Sequence, residues 1–210
     1  MGAEFDILRG KKLLLASASP RRKELLNSLD LDVRQASLKE VDETYPAGLP
    51  VEEVAAYLSK LKAGAYVGEL AEDEILVTAD TVVVSGGEVL GKPASVDDAT
   101  RMLKKLSGHR HKVITGVTLT SNSVAVTFSE TTEVDFAPLT DREIAHYVEV
   151  YKPLDKAGAY GIQEWIGYIG ITGITGDYYN VMGLPLHSLY SHLKQMVSPD
   201  GATARCKEQL

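Results

Sequence analysis

Apolar and polar residues follow two periods along the chain, and each period predicts a different secondary structure. Continuous apolar runs rich in Val, Ile and Leu predict strands, whereas apolar residues at every third or fourth position predict helices. Strands are expected at residues 13–16, 33–36, 74–84, 89–90, 112–120 and 124–136. Helices are expected at residues 20–29, from residue 50 onward, at 95–108, at 141–150 and at 185–196. This mixture of strand–helix units and hairpins predicts an α/β domain with a mixed sheet.

Two of the helix starts carry capping signals. Ser95 precedes Asp98, and Thr140 precedes Glu143, at the three-residue spacing of a capping box. Residues 158–177 are dense in glycine and match neither period well. They are interpreted as strands and loops.

Length and charge limit the classes of protein that the chain can represent. The 210 residues suit one domain over residues 1–210, with a core at about 11–196 and a polar tail at 198–210. A formal net charge of −7 argues against nucleic acid as a partner. The lone Cys206 cannot form an internal disulfide, which fits a reducing, cytoplasmic location. The first residues lack the regions of a signal peptide, and no apolar run is long enough to cross a membrane.

The segment that joins the first strand to the first helix has the composition of an anion site. Ser19 is a favourable N-cap, and Pro20 suits the first helical turn. Arg21 and Arg22 follow, although a helix N-terminus already carries partial positive charge. A bound anion would relieve this conflict, since backbone N–H groups, the hydroxyls of Ser17 and Ser19 and two guanidinium groups all bind phosphate. A solvated basic turn is the alternative interpretation.

Asp80 interrupts the apolar strand at residues 74–84. A carboxylate is costly to desolvate unless it is paired or bound to a cation. Asp80 is therefore a candidate catalytic residue. Two alternatives remain open from the residues alone: Asp80 is the first residue of a loop, or it pairs with a nearby lysine.

The sequence contains partial matches to two phosphate-related motifs, the P-loop and the aspartyl-phosphate phosphatase motif. Residues 86–92 fit the opening of a P-loop, but Pro93 stands where Ser or Thr must hold the metal. An aspartyl-phosphate phosphatase would need a second Asp two residues from Asp80, where Thr78 and Val82 stand. Both classes are rejected.

A pair of histidines is the remaining metal candidate. His109 and His111 are spaced to share one face of a strand. Imidazoles hold metals, but no third ligand lies nearby in the sequence. A surface pair is the favoured interpretation.

Residues 16–26, ASASPRRKELL, resemble the N-terminal signature of the Maf family, and further blocks follow in the family's order. These blocks are residues 78–83 (TADTVV), 91–93 (GKP), 102–108 (MLKKLSG), 115–117 (TGV), 155–163 (DKAGAYGIQ) and 181–186 (VMGLPL). Together they extend over about residues 11–196. The resemblance implies an elongated two-lobed α/β fold similar to inosine-triphosphate pyrophosphatases, with the active site in the cleft between the lobes.

The resemblance also implies an activity. Members of this family cut nucleoside triphosphates between the α and β phosphates, and the block at residues 155–163 resembles the subgroup that acts on dTTP and UTP. A pyrophosphatase of modified pyrimidine nucleotides is a variant of this expectation. A non-catalytic nucleotide-binding regulator of cell division is the alternative from a different class. A homodimer is also implied.

The resemblance assigns roles to particular residues. Asp80 is expected to accept a proton, and Glu43 and Asp80 to hold a divalent cation, with the division of work between them left open. Mg²⁺ is the expected cation because it prefers carboxylate and phosphate oxygens, with Mn²⁺ or Co²⁺ as substitutes. The remaining residues are expected to bind phosphates or to select the base: Ser17, Arg21, Arg22, Lys62, Thr81, Lys92, Lys156 and Gln163.

Overall fold

The computed structural model of the protein describes residues 7–198. Within them one seven-stranded sheet organises the chain. Its strands are β1 (Lys12–Leu15), β2 (Val33–Gln35), β3 (Glu74–Ser85), β4 (Glu88–Leu90), β5 (Arg110–Thr120), β6 (Ala125–Phe136) and β7 (Ile171–Thr175). The predictions for Cys206 and for the tail beyond residue 198 lie outside the described residues.

The sheet is mixed and open, with strand order β2-β1-β3-β5-β6-β7 and with β4 also paired to β3. β1 runs parallel to β2 and β3, whereas β3 runs antiparallel to β4 and β5. Gly86 and Gly87 turn β3 into β4, and both have positive φ (59° and 77°), as tight two-residue hairpin turns require. The predicted α/β class with a mixed sheet is confirmed.

Seven α-helices and one 3-10 helix (Ala157–Ala159) accompany the sheet in the described part of the chain. The α-helices are α1 (Pro20–Asn27), α2 (Val54–Gly64), α3 (Val96–Leu106), α4 (Asp141–Tyr151), α5 (Trp165–Gly170), α6 (Tyr178–Met182) and α7 (Leu186–Val197). The capping box at Thr140 and Glu143 forms as predicted, with both reciprocal hydrogen bonds present. At the start of α3, the Oγ of Ser95 accepts from the backbone N–H of Asp98.

Two helix predictions are wrong. The predicted start of α2 at Pro50 fails because residues 51–53 form a turn, closed by Glu53 N–H donating to the carbonyl of Pro50, and the helix begins at Val54. Residues 158–177 contain the unpredicted helix α5 besides β7. Its glycines disfavour a helix locally, but Trp165 and Ile166 pack into a core cluster, so tertiary burial outweighs propensity.

The side chains of β3 alternate between two packing environments. Ile75 and Val77 join the buried cluster that α1 and α7 cover. Val82 and Val84, on the opposite face, pack with α2. Asp80 has the parity of Val82 and Val84, so it projects toward α2 from the middle of the strand. The alternative that Asp80 begins a loop is wrong.

The predicted surface pair of histidines is wrong for His111. His109 lies on the surface, but His111 is only 3% exposed and its Nε2 lies 2.8 Å from the hydroxyl of Tyr160. Its ring makes edge contacts with Phe136 and Tyr160. Burial lowers the pKa of His111 to about 4, so the ring is neutral near pH 7.

Among residues 7–198, no helix is both long enough and apolar enough to span a bilayer.

Candidate active site

A gap along one edge of β3 creates the main cleft. β1 pairs with β3 only up to Val77, and β4 pairs with it only from Val83 onward. Residues 78–82 therefore lack a strand partner on this edge, while their other edge pairs with β5. The carboxyl ends of β1 and β4 point into the gap from opposite directions. Loops at the carboxyl ends of strands are common ligand sites in α/β sheets.

The segment after β1 forms one wall of the cleft. The hydroxyl of Ser19 caps α1 by accepting from the N–H of Arg22, and the N–H of Ser19 donates to Oγ of Ser17 at 3.2 Å. No acidic residue lies in the first turn of α1. The predicted strand–turn–helix geometry at Ser17, Arg21 and Arg22 is present, and all three residues line the cleft.

Arg22 is held by the protein itself more completely than the sequence indicated. Its Nε donates to the carbonyl of Gly183 at 2.8 Å, and its Nη1 donates to the carbonyl of Ala79 at 2.9 Å and to Ser17 Oγ at 3.4 Å. Its Nη2 donates to Oγ1 of Thr81 at 2.9 Å. The bond to Ala79 pairs one carbonyl on the open edge of β3, and the four bonds together leave one N–H for a ligand. Burial lowers the pKa of Arg22, and the charge of Asp80 opposes that shift.

Asp80 and Glu43 meet at one ammonium group. Nζ of Lys62 lies 2.6 Å from Oδ1 of Asp80 and 2.9 Å from Oε2 of Glu43. The side chains of Asp80 and Lys62 are 13% and 18% exposed, whereas Glu43 is half exposed. The alternative in which Asp80 pairs with a lysine is therefore present. Oδ2 of Asp80 accepts no hydrogen bond from the described residues and remains available.

The opposite wall carries a second group of charges. Asp155 accepts from Nη1 of Arg21 at 2.9 Å and from Nζ of Lys156 at 2.7 Å. Lys156 is 7% exposed and also pairs with Oε1 of Glu164 at 3.1 Å. Burial would raise the pKa of Asp155, but the hydrogen bonds from Lys156 and Arg21 lower it overall. Lys92, just after β4, is exposed and donates to no other described residue.

The residues expected to select the base lie in the same cleft but differ in their contacts. The hydroxyl of Thr81 lies 2.9 Å from that of Thr115, which donates to the carbonyl of Asn180, so Thr81 is joined to a network that supports Arg22. Oε1 of Gln163 is buried and has no hydrogen-bond partner. Gln163 lines the cleft, so its buried, unpartnered amide oxygen is a candidate acceptor for a ligand N–H.

The cleft has a volume of about 340 Å³ and contains every residue expected from the sequence to bind or to react. Among residues 7–198, six basic side chains and three acidic ones line it: Arg21, Arg22, Lys39, Lys62, Lys92 and Lys156, with Glu43, Asp80 and Asp155. The cleft is therefore locally positive, although the chain carries a net charge of −7. Such a concentration of positive charge favours a small polyanion.

Sequence reasoning missed three charged or polar groups at the site. Asp155 lies beside the predicted Lys156, and Glu164 beside the predicted Gln163, so adjacency was the only available signal. Lys39 lines the cleft and pairs with Glu69. Its position on a loop gave no pattern that could have identified it.

An open mixed sheet whose strand ends border a positive cleft defines a class of α/β proteins that bind small anionic ligands. The sequence model of the family described as Maf-like protein matches residues 12–196, so the chain belongs to that family. The predicted resemblance is confirmed.

Two curated relatives are similar over almost their whole length. A dTTP/UTP pyrophosphatase of Phocaeicola vulgatus is 54% identical over 192 residues, covering 91% of this chain and 100% of the relative. A dTTP/UTP pyrophosphatase of Porphyromonas gingivalis is 50% identical over 192 residues, covering 90% and 96%. Among solved structures, a HAM1 protein from Coxiella burnetii aligns with a TM-score of 0.49 at 16% identity, covering 88% of this chain and 99% of the other.

Proposed function

We propose that the protein hydrolyses dTTP and UTP to the nucleoside monophosphate and pyrophosphate. The observation that carries this proposal is the placement of Asp80, a carboxylate with a free oxygen, in a cleft lined by six basic side chains. The names of the two relatives, at 50% identity or more, support the choice of substrates. A site that only bound nucleotides would need the cations but not this acid.

In this proposal Asp80 activates the attacking water. Its free Oδ2 accepts one proton of the water as the water oxygen bonds to the α-phosphorus. The bond from that phosphorus to the bridging oxygen breaks in line with the attack, and pyrophosphate leaves. The hydrogen bond from Lys62 to Oδ1 fixes the orientation of the carboxylate.

The basic residues absorb the charge of the phosphate chain. Arg21, Lys92 and Lys156 border the cleft with ammonium or guanidinium groups, and the first turn of α1 adds its partial positive charge. Preorganised positive groups stabilise negative charge that builds up on phosphoryl oxygens. Arg22 contributes mainly by holding Ser17, Ala79 and Thr81 in place, with its one free N–H facing a ligand.

Base selection is assigned to the segment that carries Gln163. Uracil and thymine offer an N3–H and two carbonyl groups, and a side-chain amide can both accept and donate. The unpartnered Oε1 of Gln163 is suited to accept from N3–H. Cytosine carries no hydrogen on N3, so its N3 and Oε1 of Gln163 would both be acceptors and could not form a hydrogen bond.

The donor set also fits a divalent cation. No group of three or more His, Cys, Asp or Glu residues converges on one point among residues 7–198, but Mg²⁺ commonly binds one or two carboxylates together with substrate phosphates. Asp80 and Glu43 would provide those carboxylates, with Mn²⁺ or Co²⁺ as substitutes. When bound, the cation would neutralise phosphate charge and help to orient the water.

The test is pyrophosphate release from a panel of ribo- and deoxyribonucleoside triphosphates with Mg²⁺, Mn²⁺ or Co²⁺, and after chelation. The wild-type protein is expected to prefer dTTP and UTP, and Asp80→Asn is expected to lose at least about 100-fold in kcat, in the range general acid–base catalysis supplies. Asp97→Asn, an exposed residue at the start of α3, is the control.

Other outcomes would redirect the proposal. Tight nucleotide binding without turnover would favour the non-catalytic regulator. Turnover confined to modified pyrimidine nucleotides would change the assigned substrate but leave the reaction at the α–β linkage unchanged. The homodimer and the cytoplasmic location remain predictions. Sedimentation of the purified protein tests the homodimer.

A further inference from the structure

Glu164 lies behind the cleft wall that carries Lys156 and joins that lysine to α4. Its Oε1 pairs with Nζ of Lys156 at 3.1 Å, and its Oε2 accepts a hydrogen bond from the hydroxyl of Tyr147. The Glu164 side chain is about one-fifth exposed, and Lys156 is nearly buried. A carboxylate this far from water is costly unless each oxygen has a partner, and here both do.

Tyr147 extends this connection to the backbone next to Gln163. Its side chain is fully buried in the core, and its hydroxyl oxygen accepts from the N–H of Gly161 at 3.1 Å. Burial and the neighbouring Glu164 raise the pKa of Tyr147, so its hydroxyl stays protonated and donates to Glu164.

The turn at residues 161–164, just before α5, is packed closely. A Cβ at Gly161 would lie 2.9 Å from Cδ of Glu164, and one at Gly167 would lie 1.9 Å from the carbonyl oxygen of Ile162. The N–H of Glu164 donates to the carbonyl of Gly161 at 3.0 Å. The position of Gln163 therefore depends on how Glu164 and Gly161 are held.

We propose that Glu164 and Tyr147 are positioning residues that hold Lys156 and residues 161–163 as one unit. This inference rests on the proposed function, in which Lys156 faces the phosphates and Gln163 faces the base. Glu164 links Lys156 to Tyr147, whereas Asp155 links Lys156 to Arg21. The pair therefore couples phosphate binding to base selection.

The two residues are expected to affect different kinetic quantities. Glu164→Gln keeps an oxygen for Tyr147 but removes the ion pair with Lys156, so kcat for UTP and CTP should fall together by about tenfold. Tyr147→Phe keeps the buried ring but removes the acceptor of the Gly161 N–H. The preference for UTP over CTP, measured as the ratio of kcat/KM values, should therefore fall by about tenfold in addition to any change in kcat.

Matched controls lie on the same helix as Tyr147. Glu149→Gln changes an exposed glutamate of α4, and Tyr151→Phe changes a tyrosine that stacks on Tyr147 at 5.0 Å. Both controls should keep kcat and the base preference within about twofold of wild type. A merely structural role of Glu164 and Tyr147 would lower the melting temperature while leaving the base preference of the folded enzyme unchanged.

A double-variant cycle tests whether Glu164 acts through Lys156. Lys156→Met removes the ammonium, so adding Glu164→Gln should then cost less than about twofold in kcat. If the two effects multiply instead, Glu164 acts independently of Lys156 and the proposal is overturned.

Equilibrium binding separates failure of this inference from failure of the proposed function. Dissociation constants are measured by calorimetry for α,β-methylene UTP and α,β-methylene CTP, which cannot be cut at the α–β linkage. If the wild-type protein hydrolyses no nucleotide but Tyr147→Phe lowers its preference for the uracil analogue about tenfold, the proposed function fails and the coupling stands. An unchanged preference in Tyr147→Phe, or a wild-type protein that binds neither analogue, overturns the coupling.

Discussion

Lys62 of α2 contacts Asp80 in the middle of β3, with Nζ of Lys62 2.6 Å from Oδ1 of Asp80. Both side chains are mostly buried, so solvent screens the pair less than a surface pair. The contact explains how an acid can lie within an apolar strand. It also means that the carboxylate of Asp80 is oriented by Lys62, a helix residue 18 positions earlier in the sequence.

Replacing Lys62 by Met should impair both stability and activity. Asp80 and Glu43 would lose their shared partner and repel each other, which we expect to cost about 2 kcal/mol of unfolding free energy because the pair is partly buried. kcat should fall by at least about tenfold because the carboxylate loses its fixed orientation. Urea unfolding and pyrophosphate release measure the two effects. Lys60→Met, at an exposed position of the same helix, should change neither.

The approach of α2 to the sheet depends on Gly116, which pairs with Asp80 across β3 and β5. A Cβ at Gly116 would lie 2.3 Å from backbone atoms of Ala55 and Ala56. Gly116→Ala should therefore push α2 away from the sheet and destabilise the fold by about 3 kcal/mol or more. Chemical denaturation measures the change.

Gly64 gives the opposite expectation and serves as the control. It lies in the last turn of α2, and a Cβ there would have no neighbour within 4 Å. Gly64→Ala should stabilise the protein by up to about 1 kcal/mol, since alanine favours helix. Equal effects of the two substitutions would show that close packing at Gly116 is unimportant.

Asp155 competes internally with an incoming phosphate chain. Its two oxygens pair with Arg21 and Lys156, the residues that bind the phosphates of the substrate in the proposed function. Asp155→Asn should weaken those contacts and lower KM for UTP by about threefold to tenfold, equivalent to about 1 kcal/mol. Initial-rate kinetics check the direction. Asp32→Asn, in an exposed Asp–Arg pair, is the control, and a rise in KM for Asp155→Asn would show that Asp155 helps to bind substrate.

Much of the fold could be predicted because its signals are local. The apolar runs of β1, β3 and β5 and the capping box at Thr140 are visible within a few residues of sequence. The conflict between two arginines and a helix N-terminus predicts an anion site at the turn that carries Ser17 and Arg22. The structure places this turn in the same cleft as Asp80.

The rest of the site depends on contacts between distant segments. Arg22 donates to the carbonyl of Gly183, 161 residues away, and no local pattern shows that its guanidinium is already occupied. In the sequence, Glu164 is only a polar residue in a glycine-rich stretch; its contacts with Tyr147 and Lys156 are visible only in the structure. Helix α5 forms because Ile166 is buried and Trp165 packs against the same core cluster, against the local preference of its glycines.

The buried His111 makes stability depend on pH in a defined window. Its pKa is about 4 in the folded protein, against 6.5 for an ordinary histidine, because burial disfavours the charged ring. The unfolded chain therefore binds more protons between these values, so stability is full above about pH 6.5 and falls as the pH drops toward 4. By pH 5 the loss from this residue should reach about 2 kcal/mol.

Urea unfolding at pH 7 and pH 5 measures this loss. His111→Leu removes the titrating group from the core, so it should lower stability at pH 7 but reduce the further loss between pH 7 and pH 5 by about 2 kcal/mol. His109→Gln, at an exposed position two residues earlier, should retain the wild-type pH dependence. If His111→Leu and wild type lose the same amount between pH 7 and pH 5, another group controls acid stability and the neutral, buried His111 is not its cause.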